Sequence, residues 1–309
     1  MTTTRVLAID AGQTGMKVRL TGPGERQDVV FRGIDTHEPL LPQLAHVVHA
    51  AIDRTGASPD IVTAGISGLT DRDADAGRLL SLVRDTGVRG ASLAHDSTTS
   101  FLGALGDTRG AVVAAGTGVV TLAVGRDAVS RVDGWGYIMG DAGSGYWIGR
   151  EALDAVMRAY DGRGPATALI DPVRERWPEL PQAYIELQAA EERVQIVASF
   201  AAEVARLAGD GDAVALSITD RAAEELALSV RTALSRVRND DEPAAVCAIG
   251  GVFRSVRLHE AFVDALTERG TRTDVEVVTP LGEGIDGAIA LADLPPEHPL
   301  SSAVHRALA

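Results

Sequence analysis

This chain of 309 residues contains a single cysteine, Cys247. A single cysteine excludes a disulfide bond within one chain, and it excludes a zinc or iron–sulfur site built from several cysteines of one chain. Cys247 lies in an apolar run and is predicted to be a buried strand residue. The N-terminus shows no apolar signal-peptide core, so we expect a protein of the reducing cytoplasm.

The chain also lacks an excess of positive charge and long apolar runs. The net charge of -14 argues against nonspecific nucleic-acid binding, which needs a basic surface. The longest uncharged run, residues 110–125, contains four glycines and falls short of the ~20 apolar residues of a membrane helix. Hydrophobic residues make up 45% of the chain, which is typical of a globular α/β protein. Its 309 residues are enough for two domains. We therefore expect small-molecule partners, without nucleic acid or membrane.

Lysine is as rare as cysteine, and the one lysine, Lys17, follows a turn of small residues, Asp10–Gly15. The turn lies between two apolar strands, and its small residues let backbone N–H groups approach phosphate oxygens. Asp10 at the strand end is a candidate ligand for Mg²⁺, held through water. A tight hairpin without a ligand explains the same pattern. The candidate phosphate ligands are Gly12, Gln13, Thr14 and Lys17.

The same pattern occurs a second time. Residues 110–115 predict a strand, Gly116–Gly118 repeats the turn, and residues 119–124 predict the next strand. Two strand–turn–strand units indicate an internal duplication, and two such turns can bind a polyphosphate. The candidate ligands in the second turn are Gly116, Thr117 and Gly118.

Strands and helices alternate after the first turn, which predicts parallel strands joined by right-handed crossovers. No low-complexity linker marks a domain boundary, so the repeat places it near residues 106–110. The predicted strands are 5–10, 16–20, 28–32, 61–66, 91–94, 245–249 and 275–278. The predicted helices are 40–55, 71–86, 192–207, 212–238, 255–269, 284–294 and 301–308.

Asp96 follows the predicted strand 91–94 and opens a segment rich in serine and threonine. A carboxylate at the carboxyl end of a parallel strand lies where open α/β proteins bind ligands. There it can accept the proton of a substrate hydroxyl, which is the general-base role in phosphoryl transfer. The alternative is a helix N-cap, because aspartate is favoured at that position.

Two further segments are candidates for ligand contacts. Glycine and aromatic residues are concentrated in Gly134–Gly149, where rings can stack on a sugar and a carboxylate can bind its hydroxyls. A glycine pair after the strand 245–249 can direct N–H groups at a nucleotide, with an aromatic ring against adenine or ribose. A structural loop and a tight connection are the respective alternatives. The candidates are Gly134, Trp135 and Asp141 for the sugar, and Gly250, Gly251 and Phe253 for the nucleotide.

Taken in order, these segments resemble the actin–hexokinase–Hsp70 ATPase superfamily, and most closely the N-acetylglucosamine kinase family within the group named for the BadF/BadG/BcrA/BcrD ATPases. Asp10–Gly15 and Ala115–Gly118 resemble its two phosphate motifs, and Ile249–Phe253 resembles its adenosine motif. Asp96 stands where the family carries its catalytic aspartate. Gly134–Gly149, the most specific segment, resembles the family's sugar loop. The resemblance covers nearly the whole chain.

The resemblance implies an α/β fold of two ribonuclease-H-like (actin-like ATPase) domains around a hinged nucleotide cleft. Together with the repeat, it predicts a first domain over 1–107, completed by a C-terminal helix in 297–309, and a second domain over 108–296 with a helical insertion. It implies a homodimer that uses ATP and Mg²⁺ to phosphorylate N-acetylglucosamine, glucosamine or a related hexose. The expected acceptor is the 6-hydroxyl, with Asp96 as the base.

Two departures from the family pattern fall on the sugar side. Family members that act on N-acetylglucosamine commonly carry an asparagine after the third strand, where this chain has Gly33–His37. They also commonly carry a glutamate at the position of Ala142. Both changes leave the ATP side intact and leave the identity of the sugar open. The candidate sugar contacts in the first region are Thr36 and His37.

Two other functions fit parts of the pattern. The ATPase activator of a 2-hydroxyacyl-CoA dehydratase system shares the fold group, but it needs cysteines that bridge an iron–sulfur cluster between subunits. The lone, apolar setting of Cys247 argues against it. A non-catalytic sugar or nucleotide sensor is the other alternative, and the presence of both Asp10 and Asp96 argues against lost catalysis.

Overall fold

The computed structural model of the chain describes residues 4–12, 14–35, 38–238, 243–267 and 275–309. It is a mixed α/β protein with two sheets, and it divides into two compact units. Unit 1 contains the chain up to Arg109 together with Arg126–Val129 and Thr279–Ala309. Unit 2 contains Gly110–Gly125 and Ser130–Val278. The predicted α/β class is confirmed.

The sheet of unit 1 has an apolar, almost fully buried centre. Its strands run in the order β11-β5-β4-β1-β2-β3, with β1 antiparallel to β2 and parallel to β4, and β4 parallel to β5. Burial along the whole length of β1 and β4 explains their continuous apolar sequences. The strands are β1 (Val6–Ala11), β2 (Met16–Gly22), β3 (Glu25–Phe31), β4 (Ile61–Ile66), β5 (Gly90–His95) and β11 (Val304–Leu308).

Two helices of unit 1 cross in close backbone contact, and both carry glycine at the crossing. A Cβ on Gly103 would lie 2.0 Å from the carbonyl oxygen of Glu283, and one on Gly287 would lie 1.8 Å from that of Thr99. Only glycine permits this approach. The helices are α1 (Leu40–Thr55), α2 (Ala76–Leu82), α3 (Asp96–Leu105) and α10 (Gly284–Ala290), and Gly103 and Gly287 lie on α3 and α10.

The second sheet repeats the opening of the first. Its order is β10-β9-β6-β7-β8, with β6 antiparallel to β7 and parallel to β9. In each sheet an antiparallel pair joined by a Gly/Thr turn lies beside a parallel strand, which is the arrangement that a duplication requires. The strands are β6 (Gly110–Ala115), β7 (Val119–Val124), β8 (Val129–Val132), β9 (Ala244–Ile249) and β10 (Val275–Val277).

Helices supply most of the core of unit 2. They pack around one large apolar cluster. The helix that carries Gly149 crosses the helix that carries Val197 so closely that a Cβ on Gly149 would lie 1.8 Å from the carbonyl oxygen of Val197. No helix within the described ranges is both long and apolar enough to cross a membrane. The helices are α4 (Gly145–Tyr160), α5 (Ile170–Arg176), α6 (Leu180–Ala189), α7 (Arg193–Gly209), α8 (Ala213–Ser235) and α9 (Val256–Thr267).

The C-terminal end of the chain differs from its prediction. Residues 301–308, and the helix expected in 297–309, form a short 3₁₀ turn at Pro299–Ala303 followed by strand β11. β11 pairs antiparallel with β5 and so occupies the edge of the first sheet. The predicted helix is wrong because an unpaired sheet edge outweighs the weak helical periodicity of these few residues.

Among the other boundaries that differ are one between the two domains and one at the start of a helix. Residues 279–296, which were predicted to belong to the second domain, lie in unit 1, where α10 packs Ile285 and Ala288 against Val6 and Ala8. The helix α2 begins at Ala76 and is shorter than the predicted helix 71–86. It begins there because the side chain of its N-cap residue, Asp75, accepts the N–H of Arg78.

Candidate functional site

The first phosphate turn connects β1 to β2, and it is closed by its own backbone. The N–H of Gly12 donates to the carbonyl oxygen of Gly15 at 3.1 Å. Thr14 is exposed, and Lys17 lies directly opposite Asp10 in the register of the two strands. The turn therefore carries a hydroxyl, an ammonium group and a carboxylate at one edge of the sheet. Gln13, Thr36 and His37 lie outside the described residues.

Lys17 forms an ion pair that no local sequence pattern indicates. Its Nζ donates to Oε2 of Glu283 at 2.8 Å, and both side chains are exposed. Glu283 directly precedes α10 and lies far from Lys17 along the chain. An exposed ion pair contributes at most ~1 kcal/mol. Lys17 can therefore leave Glu283 for a phosphate at little energetic cost.

The carboxylate of Asp10 lies in an environment that penalises its negative charge. Burial raises its pKa above the ordinary value, and so do the nearby carboxylates of Asp96 and Glu283, while Lys17 acts in the opposite direction. A Cβ at Gly284 would lie 3.1 Å from Oδ2 of Asp10, so the first residue of α10 also crowds this carboxylate. A divalent cation would relieve the repulsion.

Mg²⁺ fits this donor set better than a metal that needs a cage of protein ligands. Among the residues that the structure describes, no group of three or more His, Cys, Asp or Glu side chains is arranged to hold a metal ion. Mg²⁺ usually keeps several waters and is held by one or two carboxylates together with substrate phosphates. Asp10, beside a turn suited to phosphate, provides a carboxylate of this kind.

Asp96 is the first residue of α3, at the carboxyl end of β5. β1 and β5 both run parallel to β4, so Asp10 and Asp96 lie at the same side of the sheet, where the carboxyl ends of these strands are. The cap residue of α3 is His95, whose Nδ1 accepts the N–H of Ser97 at 3.1 Å. The alternative role proposed for Asp96, the N-cap, therefore belongs to its neighbour.

The Asp96 carboxylate is ionised and faces His95. Burial opposes its charge, but contacts with His95, Ser67 and the Ser97 amide outweigh burial and hold its pKa below the ordinary value. Oδ1 is shielded from solvent and lies 2.8 Å from His95 Nδ1. The carboxylate is thus held in its ionised form, which is the form that can accept the proton of a substrate hydroxyl.

In unit 2, the second phosphate turn is bound to the start of α4. The N–H groups of Gly145 and Tyr146 donate to the carbonyl oxygens of Gly116 and Thr117 at 2.7 and 3.0 Å. The turn is closed by the N–H of Gly116, which donates to the carbonyl oxygen of Gly118 at 2.8 Å. Gly116 and Thr117 are exposed, so the turn remains accessible while α4 holds it.

The predicted sugar loop presents apolar groups and buries its carboxylate. Trp135 is 68% exposed, and the guanidinium of Arg131 lies 5.8 Å from its ring centroid. Asp141 is only 6% exposed, and its Oδ1 accepts the N–H of Gly136 at 3.1 Å. Its Oδ2 faces Gly118 so closely that a Cβ there would lie 2.6 Å away. Asp141 thus connects the loop to the second phosphate turn.

The buried Asp141 should make stability depend on pH. Burial first, and then repulsion from Asp133, raises its pKa from 3.8 to about 6. The folded state therefore binds this proton more tightly than the unfolded state, and rising pH destabilises the fold between about pH 4 and pH 6. We expect the wild-type free energy of unfolding, relative to that of Asp141→Asn, to fall by on the order of 2 kcal/mol from pH 4 to pH 7. Urea unfolding at both pH values measures this difference, and a constant difference would contradict the assignment.

The predicted adenosine motif is adjacent to the second phosphate turn. Gly250 adopts a positive φ of 104°, and a Cβ there would lie 2.2 Å from the carbonyl oxygen of Ala115, the residue that precedes the turn. Gly251 faces open space. The ring of Phe253 is half-buried, with its centroid 5.1 Å from that of Phe262 on α9. Phe253 is therefore held by the core of unit 2.

Comparison with known proteins finds a family and relatives that match most of the chain. A model of the BadF/BadG/BcrA/BcrD ATPase family matches residues 7–292. The N-acetylmuramic acid/N-acetylglucosamine kinase of Clostridium acetobutylicum is 25% identical over 310 aligned residues, which cover 93% of this chain and 97% of the relative. The N-acetyl-D-glucosamine kinase of Dictyostelium discoideum is 37% identical over 118 residues, 36% of each chain.

Solved structures share the fold over nearly the whole chain. A candidate N-acetylglucosamine kinase from Chromobacterium violaceum has a TM-score of 0.67 and 25% identity, with coverage of 93% of this chain and 98% of the other.

Proposed function

We propose that this chain, which belongs to the BadF/BadG/BcrA/BcrD ATPase family, phosphorylates the 6-hydroxyl of an amino sugar or related hexose. The chain is an ATP-dependent sugar kinase. The observation that carries the proposal is the ionised carboxylate of Asp96 at the carboxyl end of β5, with its Oδ1 shielded from solvent and with Asp10 nearby. Full-length similarity to a kinase of N-acetylated amino sugars supports the substrate class.

Asp96 acts as the general base in this proposal. Its Oδ1 accepts the hydrogen of the sugar hydroxyl while the hydroxyl oxygen bonds to the γ-phosphorus of ATP. The bond from that phosphorus to the β,γ-bridging oxygen breaks, and ADP leaves with its electron pair. The lowered pKa of Asp96 keeps its carboxylate deprotonated at neutral pH, which is the form that a general base requires.

The nucleotide side uses backbone N–H groups and one carboxylate. Asp10 would hold Mg²⁺ through water, and when bound this ion supplies positive charge that neutralises the phosphates. The N–H groups of Gly12 and Gly116 close the two turns, so these glycines serve the phosphates by allowing close backbone approach. In the proposal, the other N–H groups of the turns and those of the glycine pair bind the phosphates and the nucleotide. The proposed ligands are Gly12, Gln13, Thr14, Lys17, Gly116, Thr117, Gly118, Gly250, Gly251 and Phe253.

The sugar side combines an exposed ring with a closed loop. Trp135 offers its face to the CH groups of the sugar, since its ring is largely exposed. Gly134 and Asp141 shape the loop and, in the proposal, contact sugar hydroxyls together with Thr36, His37 and Asp96. The family resemblance further leads us to propose a homodimer, and the near absence of cysteine leads us to propose a cytoplasmic setting.

A coupled assay of ADP release with Mg²⁺ and ATP tests the proposal against a panel of sugars. The panel contains N-acetylglucosamine, glucosamine, N-acetylmannosamine, N-acetylmuramic acid and glucose, and phosphorus NMR of the product locates the phosphate. Strong turnover with one amino sugar and a 6-phosphate product is expected. A lack of turnover across the panel, with ATP binding intact, would contradict the substrate class.

The two alternative functions make different demands on the chain. An activator of the dehydratase type needs an accessible thiolate for an iron–sulfur cluster, whereas Cys247 is buried and burial raises its pKa to about 11. This environment disfavours a thiolate ligand. A sensor would bind sugar or nucleotide in calorimetry without turnover, which the ADP assay distinguishes.

Replacing Lys17 with methionine is expected to raise KM for ATP about tenfold with a smaller change in kcat, because a charge-assisted phosphate contact is lost. The matched variant, Glu283→Gln, removes the competing carboxylate and should lower KM for ATP. Steady-state kinetics with varied ATP measures both. An unchanged KM for ATP in Lys17→Met would mean that Lys17 serves only its ion pair with Glu283.

A further inference from the structure

Two aspartates in the sugar loop adopt a backbone conformation that favours glycine. Asp133 and Asp141 have φ values of 61° and 59°, and they are the only non-glycine residues with positive φ in the described part of the chain. Aspartate tolerates this left-handed region better than most residues, because its short side chain can hydrogen-bond to the local backbone. Two such residues in one loop point to a specific local task for their carboxylates.

Asp133 closes the loop across eight residues. Its Oδ1 accepts the N–H of Gly134 and the N–H of Asp141, both at 2.8 Å. The ring formed in this way is tight, since a Cβ at Gly140 would lie 2.6 Å from this same oxygen and 2.9 Å from Cβ of Trp135. The carboxylate is thus enclosed by the backbone that it organises.

Asp141 completes a reciprocal arrangement. Its backbone N–H is held by Asp133, and its own carboxylate accepts the N–H of Gly136 inside the ring and the N–H of Val119 on β7. Asp133 therefore determines the position of the residue that attaches the loop to the second phosphate turn. Without the Asp133 acceptor, the Asp141 N–H would lose its partner, and the ring would lose the side-chain hydrogen bond that joins positions 133 and 141.

The closed ring holds an apolar surface in place. Trp135, Ile138 and Met139 lie within it and are 68%, 81% and 85% exposed. Exposed side chains gain no order from a core, so their positions depend on the backbone that carries them. A misplacement of about 1 Å in a substrate-positioning group can reduce the rate of an enzyme on the order of 100-fold.

We propose that Asp133 is a positioning residue of the sugar site: its carboxylate closes the loop 133–141 and so orders Trp135 and Asp141 for the sugar. This inference rests on the proposed function, because it assigns the loop to the sugar. Asp133 itself contacts backbone N–H groups and takes no part in the transfer of the phosphoryl group.

Three substitutions separate the hydrogen bonds of Asp133 from its backbone conformation. Asp133→Ala removes the acceptor and disfavours positive φ, whereas Asp133→Gly removes the acceptor but permits positive φ. Asp133→Asn keeps an acceptor oxygen and tolerates positive φ. Asp127→Ala, at an exposed position before β8, is the matched control.

The kinetic readout is KM for the sugar against KM for ATP. We expect Asp133→Ala and Asp133→Gly to raise KM for the sugar at least about tenfold with KM for ATP nearly unchanged. Asp133→Asn should restore KM for the sugar to within about threefold of wild type, because it retains the acceptor. Wild-type values for the sugar in Asp133→Gly would overturn the proposal, since only the backbone conformation would then matter.

Hydrogen exchange measured by mass spectrometry provides a readout that needs no substrate. Amides of residues 133–141 should exchange faster in the Ala and Gly variants and at the wild-type rate in the Asn variant, while the peptides of β6, β7 and α4 remain protected. Unchanged exchange in Asp133→Gly would overturn the role in loop closure. If no sugar is turned over by the wild type, the function is wrong, and the exchange experiment still decides whether Asp133 orders the loop.

Discussion

The Asp96→Asn enzyme is expected to turn over at least about 100-fold more slowly than the wild type. Asparagine has nearly the shape of aspartate but cannot accept a proton at neutral pH. The ionised Asp96 carboxylate is the acceptor proposed for the hydroxyl hydrogen, so the loss should appear in kcat, with KM for ATP and the melting temperature little changed. Steady-state kinetics with the best sugar of the panel, together with a thermal melt, measures these quantities.

A matched control is available close to the same helix. Asp107, exposed just after the end of α3, should tolerate replacement by asparagine without loss of turnover. If Asp96→Asn keeps more than about a tenth of the wild-type kcat, the base is misassigned, because general-base catalysis contributes roughly 100-fold or more. Loss in both variants would indicate a general effect of removing a carboxylate from this unit.

Replacing Gly287 with valine is expected to destabilise unit 1 by about 3 kcal/mol or more, one of the largest effects available to a single substitution in this chain. A Cβ at this position would lie 1.8 Å from the carbonyl oxygen of Thr99 and 2.6 Å from the backbone nitrogen of Gly103. Both obstacles are backbone atoms of α3, so no side-chain rotation relieves the overlap and the helices must separate. Urea denaturation followed by circular dichroism measures the loss.

The functional consequence follows from what these two helices carry. α3 begins at Asp96, and the first residue of α10 packs against the carboxylate of Asp10, so their separation should also lower activity in any folded fraction. Gly209→Ala is the matched control, because a Cβ at this helical glycine of α7 would meet no atom within 4 Å. That variant should stay within about 1 kcal/mol of the wild type. Equal unfolding midpoints for Gly287→Val and Gly209→Ala would contradict the proposed close packing of the helices.

Several elements were predictable because their signals are local. The hairpin β1–β2, the repeat β6–β7 and the strand that ends before Asp96 are each encoded by a continuous apolar run and a glycine turn or a polar segment after it. The fold class and the kinase family are confirmed by the two sheets and by the matching family model. The individual ligand roles remain predictions, since they concern groups that bind molecules.

Other features depend on residues far apart in the sequence. The ion pair of Lys17 and Glu283 spans 266 residues, and Arg19 on β2 is buried in a similar pairing with Asp28 and Asp286. The assignment of the cap to His95 instead of Asp96 depends on a side-chain geometry that neighbouring residue types do not specify. The C-terminal strand was missed because its pairing partner, β5, comes from a distant part of the chain.

Local sequence signals were sufficient to predict the strand–turn–strand units, the placement of small residues where a backbone must approach phosphate, and the family. Those properties follow from short-range periodicity and from the steric freedom of glycine. Three-dimensional contacts, by contrast, establish that the Asp96 carboxylate stays ionised, that burial penalises the Asp10 and Asp141 carboxylates, and that Asp133 and Asp141 hold one loop. Burial and hydrogen-bond partners are set by atoms from distant segments, and the free energy of a charge depends on those surroundings.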